Sequence, residues 1–154
     1  MFGCTLLLSL CGACASGGEK ASISGSASAA ANDARAIAQW EERAADLWGD
    51  IALVQADAEV LVEQGSAGDQ IQRRADCESR QQMLATAKGA LLPVPAGTSA
   101  SEATLNALPG QIERIERLLD SCLTGVEATA LTAADIAAQE AITRDLEQVR
   151  QHAG

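Results

Sequence analysis

The chain has 154 residues, enough for one domain with tails and a modest core. Apolar residues make up 47% of it but aromatics only 2% (Phe2, Trp40 and Trp48), so much of the apolar content is alanine, which suits closely packed helices better than a thick globular core. A formal net charge of −10, with no basic run longer than Arg73-Arg74, excludes an electrostatic footprint for nucleic acid and opposes adsorption to an anionic membrane surface.

At the N-terminus, Thr5-Leu6-Leu7-Leu8-Ser9-Leu10 opens an apolar run that ends in Cys11-Gly12-Ala13-Cys14-Ala15-Ser16. A bilayer span takes about 20 apolar residues, so this run is too short to cross and residues 1–14 are expected to be an export signal. Small residues before Cys14, followed by a Gly/Ser-rich stretch, resemble the lipobox of bacterial lipoproteins. The resemblance covers only the first dozen or so residues. It implies that the mature chain starts at Cys14 and that this residue carries a thioether-linked diacylglycerol and usually an N-acyl chain such as palmitate. Three alternatives stay open, retention in the cytoplasm among them. Ala13-Cys14-Ala15 is also an A-x-A site for ordinary cleavage, which would release a soluble periplasmic or secreted protein starting at Ser16. Cys11-x-x-Cys14 has the spacing of a redox or zinc motif, but it lacks a second ligand pair and any βαβ context. Residues 15–32 are mostly Ala, Ser and Gly, a composition that cannot bury a core, and they are expected to form a flexible tether with a reach of roughly 25 Å.

The helical domain is expected over residues 33–154. Asn32 or Asp33 can cap a first helix that ends before Gly65. Ile37, Trp40, Ala44, Leu47, Ile51, Val54, Ala58 and Leu61 mark its seam by alternate steps of three and four. Trp40 falls on that seam. Trp48 lies one position off it, beside Gly49, and is a candidate partner contact; the alternative is that it flanks the seam and covers the last helix. Eight acids against Arg35 and Arg43 leave this helix at −6.

After the short turn Gly65-Ser66-Ala67-Gly68, a second helix is expected from about Asp69 to Leu91, stopped by Pro93-Val94-Pro95. Its seam is Ile71, Cys77, Leu84, Ala87 and Leu91, and its net charge is +1, a sensible neighbour for a −6 helix. Ser99-x-x-Glu102 has the form of a capping box for a short turn of helix, with Pro109 opening or kinking the main third helix. That third helix carries the clearest seam in the chain: Leu105, Leu108, Ile112, Ile115, Leu119, Cys122 and Val126, with Gly125 as terminator. Thr132-x-x-Asp135 resembles a cap for a last helix bearing Ile136, Ile142, Leu146 and Val149.

Antiparallel packing of the second and third helices can be tested by register. Seven residues forward from Cys77 is Leu84, and seven back from Cys122 is Ile115; a further seven gives Leu91 and Leu108. Three pairs thus share one register, with Cys77 and Cys122 at one end, and in an exported protein this predicts a disulfide.

The residues of catalysis are sparse. His152 is the sole histidine and lies near the end of the chain, so no Ser-His-Asp set, zinc cluster or haem ligand pair can be assembled around it. Glu42, Asp46 and Asp50 form an i,i+4 row that could hold a divalent cation weakly, although a solvated face explains it as well. No catalytic residue, metal ligand or cofactor is therefore expected. The fold expected is an all-α antiparallel bundle of three to four helices with coiled-coil-like seams and one internal disulfide. The function expected is that of a non-enzymatic cell-envelope lipoprotein, a structural or adaptor module anchored to the membrane by lipid and presenting a helical surface to another envelope protein. The alternative is a periplasmic helical bundle that binds a small ligand or metal. A filled core with an exposed apolar stripe favours the first, and a pocket with converging polar groups favours the second.

Overall fold

The computed structural model describes the backbone of residues 21–64, 69–126 and 129–154, and side chains from residue 28 onward. Cys14, the expected lipidation site, lies outside the described residues. The described chain is all-helical: α1 (Ala21–Glu63), α2 (Gln70–Leu91), α3 (Glu102–Thr124) and α4 (Ala133–Ala153). No described helix is long and apolar enough to cross a membrane.

The bundle is the unit Asp33–Gly154. Its cross-links fix the topology. Between α2 and α3, Cys77 meets Cys122, Gln81 meets Asp120 and Lys88 meets Glu116, so one helix descends as the other rises. Between α3 and α4, Arg114 pairs with Asp135 and Gln111 with Gln139, and the chain at Ser101, just before α3, pairs with Asp145. Asp46, Trp48 and Gln55 of α1 reach Arg150, Thr143 and Gln139 of α4, while Asp57 reaches Arg80 of α2. Every neighbouring pair is antiparallel, the up-down-up-down arrangement that short connections favour.

One core runs through the middle, formed by Trp40, Trp48, Ile51, Leu84, Leu91, Leu108, Ile112, Ile115, Leu119, Ile142 and Leu146 with their alanine neighbours. Burying each large aliphatic side chain contributes roughly 1.5–3 kcal/mol. The helix ends are satisfied locally. Asp69 accepts from the N–H groups of Ile71 and Gln72, and Ser101 accepts from Thr104. Thr132 and Asp135 form a complete capping box, and Gly125 closes α3 with φ 72°, a left-handed conformation suited to glycine.

The fold departs from the sequence expectation at several places. α1 begins at Ala21, ahead of the start expected at Asn32 or Asp33, so it takes in residues 21–32 of the expected tether. Alanine has the highest helix propensity, and once a helix is nucleated each further residue adds a hydrogen bond. In α1 Trp48 occupies the core where Leu47 was expected, and Leu47 is only half-buried. Ile71 is 83% exposed because its register partner would be residue 128, beyond the last residue of α3. Val126 is 67% exposed for a related reason: Gly125 has already turned the chain out of the helix. Ile136 also faces outward, since Asp135 and Gln139 take the inner positions of α4.

The cap of α3 is Ser101 and not Ser99, and α3 runs unbroken through Pro109. An interior proline costs about 3 kcal/mol. Buried Thr104 and Leu108 before it and Ile112 and Ile115 after it keep both halves on the same core.

Candidate functional site

The expected Cys77–Cys122 pairing is present: the two residues form a disulfide with Cα atoms 6.2 Å apart, closing a sequence separation of 45. Trp48 does not serve as an exposed partner contact. It is 2% exposed, and its indole N–H donates to the Thr143 hydroxyl of α4 at 3.0 Å. Ala44, Trp48, Ile51, Gln55 and Ala58 are spaced 4-3-4-3 and all are buried, so the inner face of α1 runs through the ring. Trp40 likewise donates its indole N–H to the Leu91 carbonyl at 2.9 Å.

The chemistry that the sequence did not single out lies toward the disulfide end. There a layer of amides lies beside the apolar core, which continues through Ala58, Ile115 and Leu119. Gln55 of α1 is 7% exposed, and its carbonyl oxygen accepts from the Gln139 amide at 2.5 Å. The same Gln139 nitrogen lies 3.3 Å from the Gln111 carbonyl oxygen of α3. The Gln55 amide in turn donates to Glu59 at 2.8 Å. Three helices therefore share one hydrogen-bonded layer, which a buried polar group needs to avoid the cost of an unpaired donor or acceptor. A register signal for it does exist. Asp135, Gln139, Ile142, Leu146 and Val149 are spaced 4-3-4-3, so Gln139 and Asp135 continue the α4 seam with polar residues.

Arg114 sits one turn further toward that end. Its guanidinium pairs with Asp135 at 2.9 Å and donates to the Ala130 carbonyl at 2.8 Å, tying the α3–α4 connection back onto α3. Asp135 is held below its ordinary pKa of 3.8, first by the hydrogen bond from the Thr132 hydroxyl, then by the Thr132 backbone N–H and the Arg114 charge.

Beyond this layer opens a cavity of about 850 Å³ between the C-terminal turns of α1, the second half of α3 and the tied connection. Val62, Ile115, Leu118 and Leu131 give it apolar walls, and Glu59, Glu63 and Asp120 give it carboxylates. Its volume falls within the range of small-molecule sites, about 300–1,000 Å³. The carboxylate row of α1 is dispersed, with Asp46 paired to Arg150 at 2.9 Å. Among the described residues no three His, Cys, Asp or Glu side chains gather as a metal site. No protein family model, curated protein or solved structure matches the chain.

Proposed function

We propose that the protein is a non-enzymatic cell-envelope lipoprotein, anchored through Cys14, whose bundle presents the outer face of α1 to a helix of another envelope protein. The observation that carries this reading is the pair Leu53 and Val60, 58% and 52% exposed on the side of α1 away from the core. Gly49 and Ala56, both exposed, continue the same stripe at steps of four and three, and Asp46, Asp50 and Asp57 run alongside it. An apolar stripe bordered by acids on a strongly negative helix suits a partner helix with an apolar face flanked by Lys and Arg. The order of parts in the sequence supports the anchor: apolar run, small residues, Cys14, then an acidic domain with no basic surface of its own to hold a membrane. Two acyl chains suffice for stable attachment, at about 0.8 kcal/mol per buried CH₂.

A photo-crosslinking side chain at position 53 or 60 should capture one partner in cells, through a basic amphipathic helix, while the same group at exposed Arg74 should not. Equal capture at all three positions, or none, removes the reading. Cys14→Ser should move the protein out of the membrane fraction; a wild-type mass matching unmodified Ser16 to Gly154 would remove the anchor.

The cavity supports a second reading, a periplasmic binder of a small ligand. Its lining combines apolar side chains with carboxylates, arginines and the Gln55 amide, which supports that reading.

A further inference from the structure

The disulfide-end cavity has an uneven set of charges. Of the two arginines that line it, Arg114 is committed to Asp135 and the Ala130 carbonyl, and Arg117 is largely exposed, 3.9 Å from Glu113. Of the carboxylates, Glu59 is half-buried and Asp120 lies at the exposed rim. Glu59 is held by the neutral amide of Gln55 at 2.8 Å, and Asp120 by the neutral amide of Gln81 at 2.9 Å. Each amide fixes one carboxylate oxygen without cancelling its charge. Asp46, Asp57, Glu116 and Asp135 are among the acids that form ion pairs between the described helices.

The backbone adds to the same sign. α1 ends at Glu63 and α3 at Thr124, both residues line the cavity, and neither helix has a basic residue in its last turn. The C-terminus of a helix carries about half a negative charge in its unsatisfied carbonyls, so two such ends make this region favourable to a cation.

We propose that this cavity binds an amphiphilic cation, its apolar chain against Val62, Ile115, Leu118 and Leu131 and its ammonium group at Glu59 and Asp120. The inference rests on the second functional reading above and names the ligand class for it. The apolar walls favour a chain over a small polar amine, and the carboxylates select an amine over a fatty acid of the same length. Buried Gln55 supports the selection from behind, since its 2.8 Å bond to Glu59 orients that carboxylate before a ligand arrives.

Isothermal titration of the oxidised full domain with decylammonium, decanol and decanoate, each below its micelle concentration, tests this. Decylammonium should bind saturably at one site, decanol more weakly, and decanoate most weakly. Glu59→Gln combined with Asp120→Asn should weaken decylammonium about tenfold and leave decanol within a factor of about two. Val62→Trp, which fills the cavity from α1, should abolish binding of both, with the helical circular-dichroism signal serving as the check on folding. Decanoate binding as well as decylammonium, or an affinity untouched by the two carboxylate changes, overturns the ligand class while leaving a binding cavity. Absence of saturable binding by all three overturns both the ligand class and the binder reading.

Discussion

The two ends of this bundle are held together by different means. At the end formed by Trp40, Leu91, Leu108 and Leu146, large apolar side chains fill the space between helices, and both indoles find a hydrogen-bond acceptor on another helix. At the other end, Gln55, Gln111 and Gln139 form an amide layer, Arg114 ties down a connection, and a disulfide joins α2 to α3. The difference is sharpest for α1. At the disulfide end α1 reaches its neighbours through long polar side chains such as Gln55 and Asp57, whereas at the first end it does so through Trp40 and Trp48. Beyond the amide layer the cavity opens beside the C-terminal turns of α1.

The largest test of this contrast removes a ring. Trp48→Ala should destabilise the domain by about 3–5 kcal/mol, the usual cost of truncating a buried aromatic, and leave the Thr143 hydroxyl without its indole donor. Thermal and denaturant unfolding check it. A loss under about 1 kcal/mol would mean that α1 does not depend on its rings, and the contrast between the ends would collapse.

Opening the disulfide is next in size. With a separation of 45 residues, the chain-entropy model gives about 4 kcal/mol, and measured bridges more often give about 2–4. The location of the change matters more than its size. In Cys77→Ser, hydrogen exchange should quicken first in residues 70–80 and 115–124, while 84–91 and 105–112 keep their protection. Uniform loss along α2 would show that the two ends unfold as one unit.

How much of this was legible in the sequence follows the same division. The apolar seam of α3, the shared register of Cys77, Leu84 and Leu91 with their partners, and the caps at Gly125 and Thr132 could all be read, because each rests on spacing or on local backbone chemistry. Trp48 was harder. Steps of three and four pass through Leu47 or through Trp48, and the face that is buried, Ala44, Trp48, Ile51, Gln55 and Ala58, takes the second path. The amide layer was missed because a search for apolar seams steps over glutamine, even at positions in perfect register such as Gln139. Ile71 and Val126 were misplaced because a seam read from one helix takes no account of where its neighbour stops. The cavity depends on where α1 and α3 end and on the Arg114 tie to Ala130, none of which is given by spacing within one helix.

The amide layer predicts a smaller effect. Gln55→Ala removes an acceptor from Gln139 and the donor that orients Glu59, and should cost about 1–3 kcal/mol as a buried polar group is left unpaired. Gln55→Leu combined with Gln139→Leu replaces both partners with apolar groups and should recover most of that loss. If the double change is worse than the single one by more than about 1 kcal/mol, the layer specifies the packing of α1 against α4 in a way that apolar side chains of similar size cannot.

The smallest expected effect concerns pH at the start of α4. Asp135 is held below its ordinary value of 3.8 by the Thr132 hydroxyl and backbone N–H and by Arg114. A carboxyl whose pKa is lower in the folded than in the unfolded chain contributes stability above its unfolded value, and that contribution is lost as the pH falls through the folded one. The capping box and the tie to Arg114 should therefore be intact at neutral pH and weaken only below about pH 3.8. Asp135→Asn keeps the size of the side chain but removes the charge. Its melting temperature should lie below that of the wild type at pH 7, and the gap should narrow steadily below pH 3.8 as the wild-type carboxyl takes up its proton. Because Asp135 also anchors the connection that walls the cavity, exchange in residues 129–134 should quicken over the same pH range. A gap that stays constant down to the acid-unfolded state would show that the carboxyl titrates alike in folded and unfolded chains, and that Arg114 and Thr132 hold the connection without drawing on its charge.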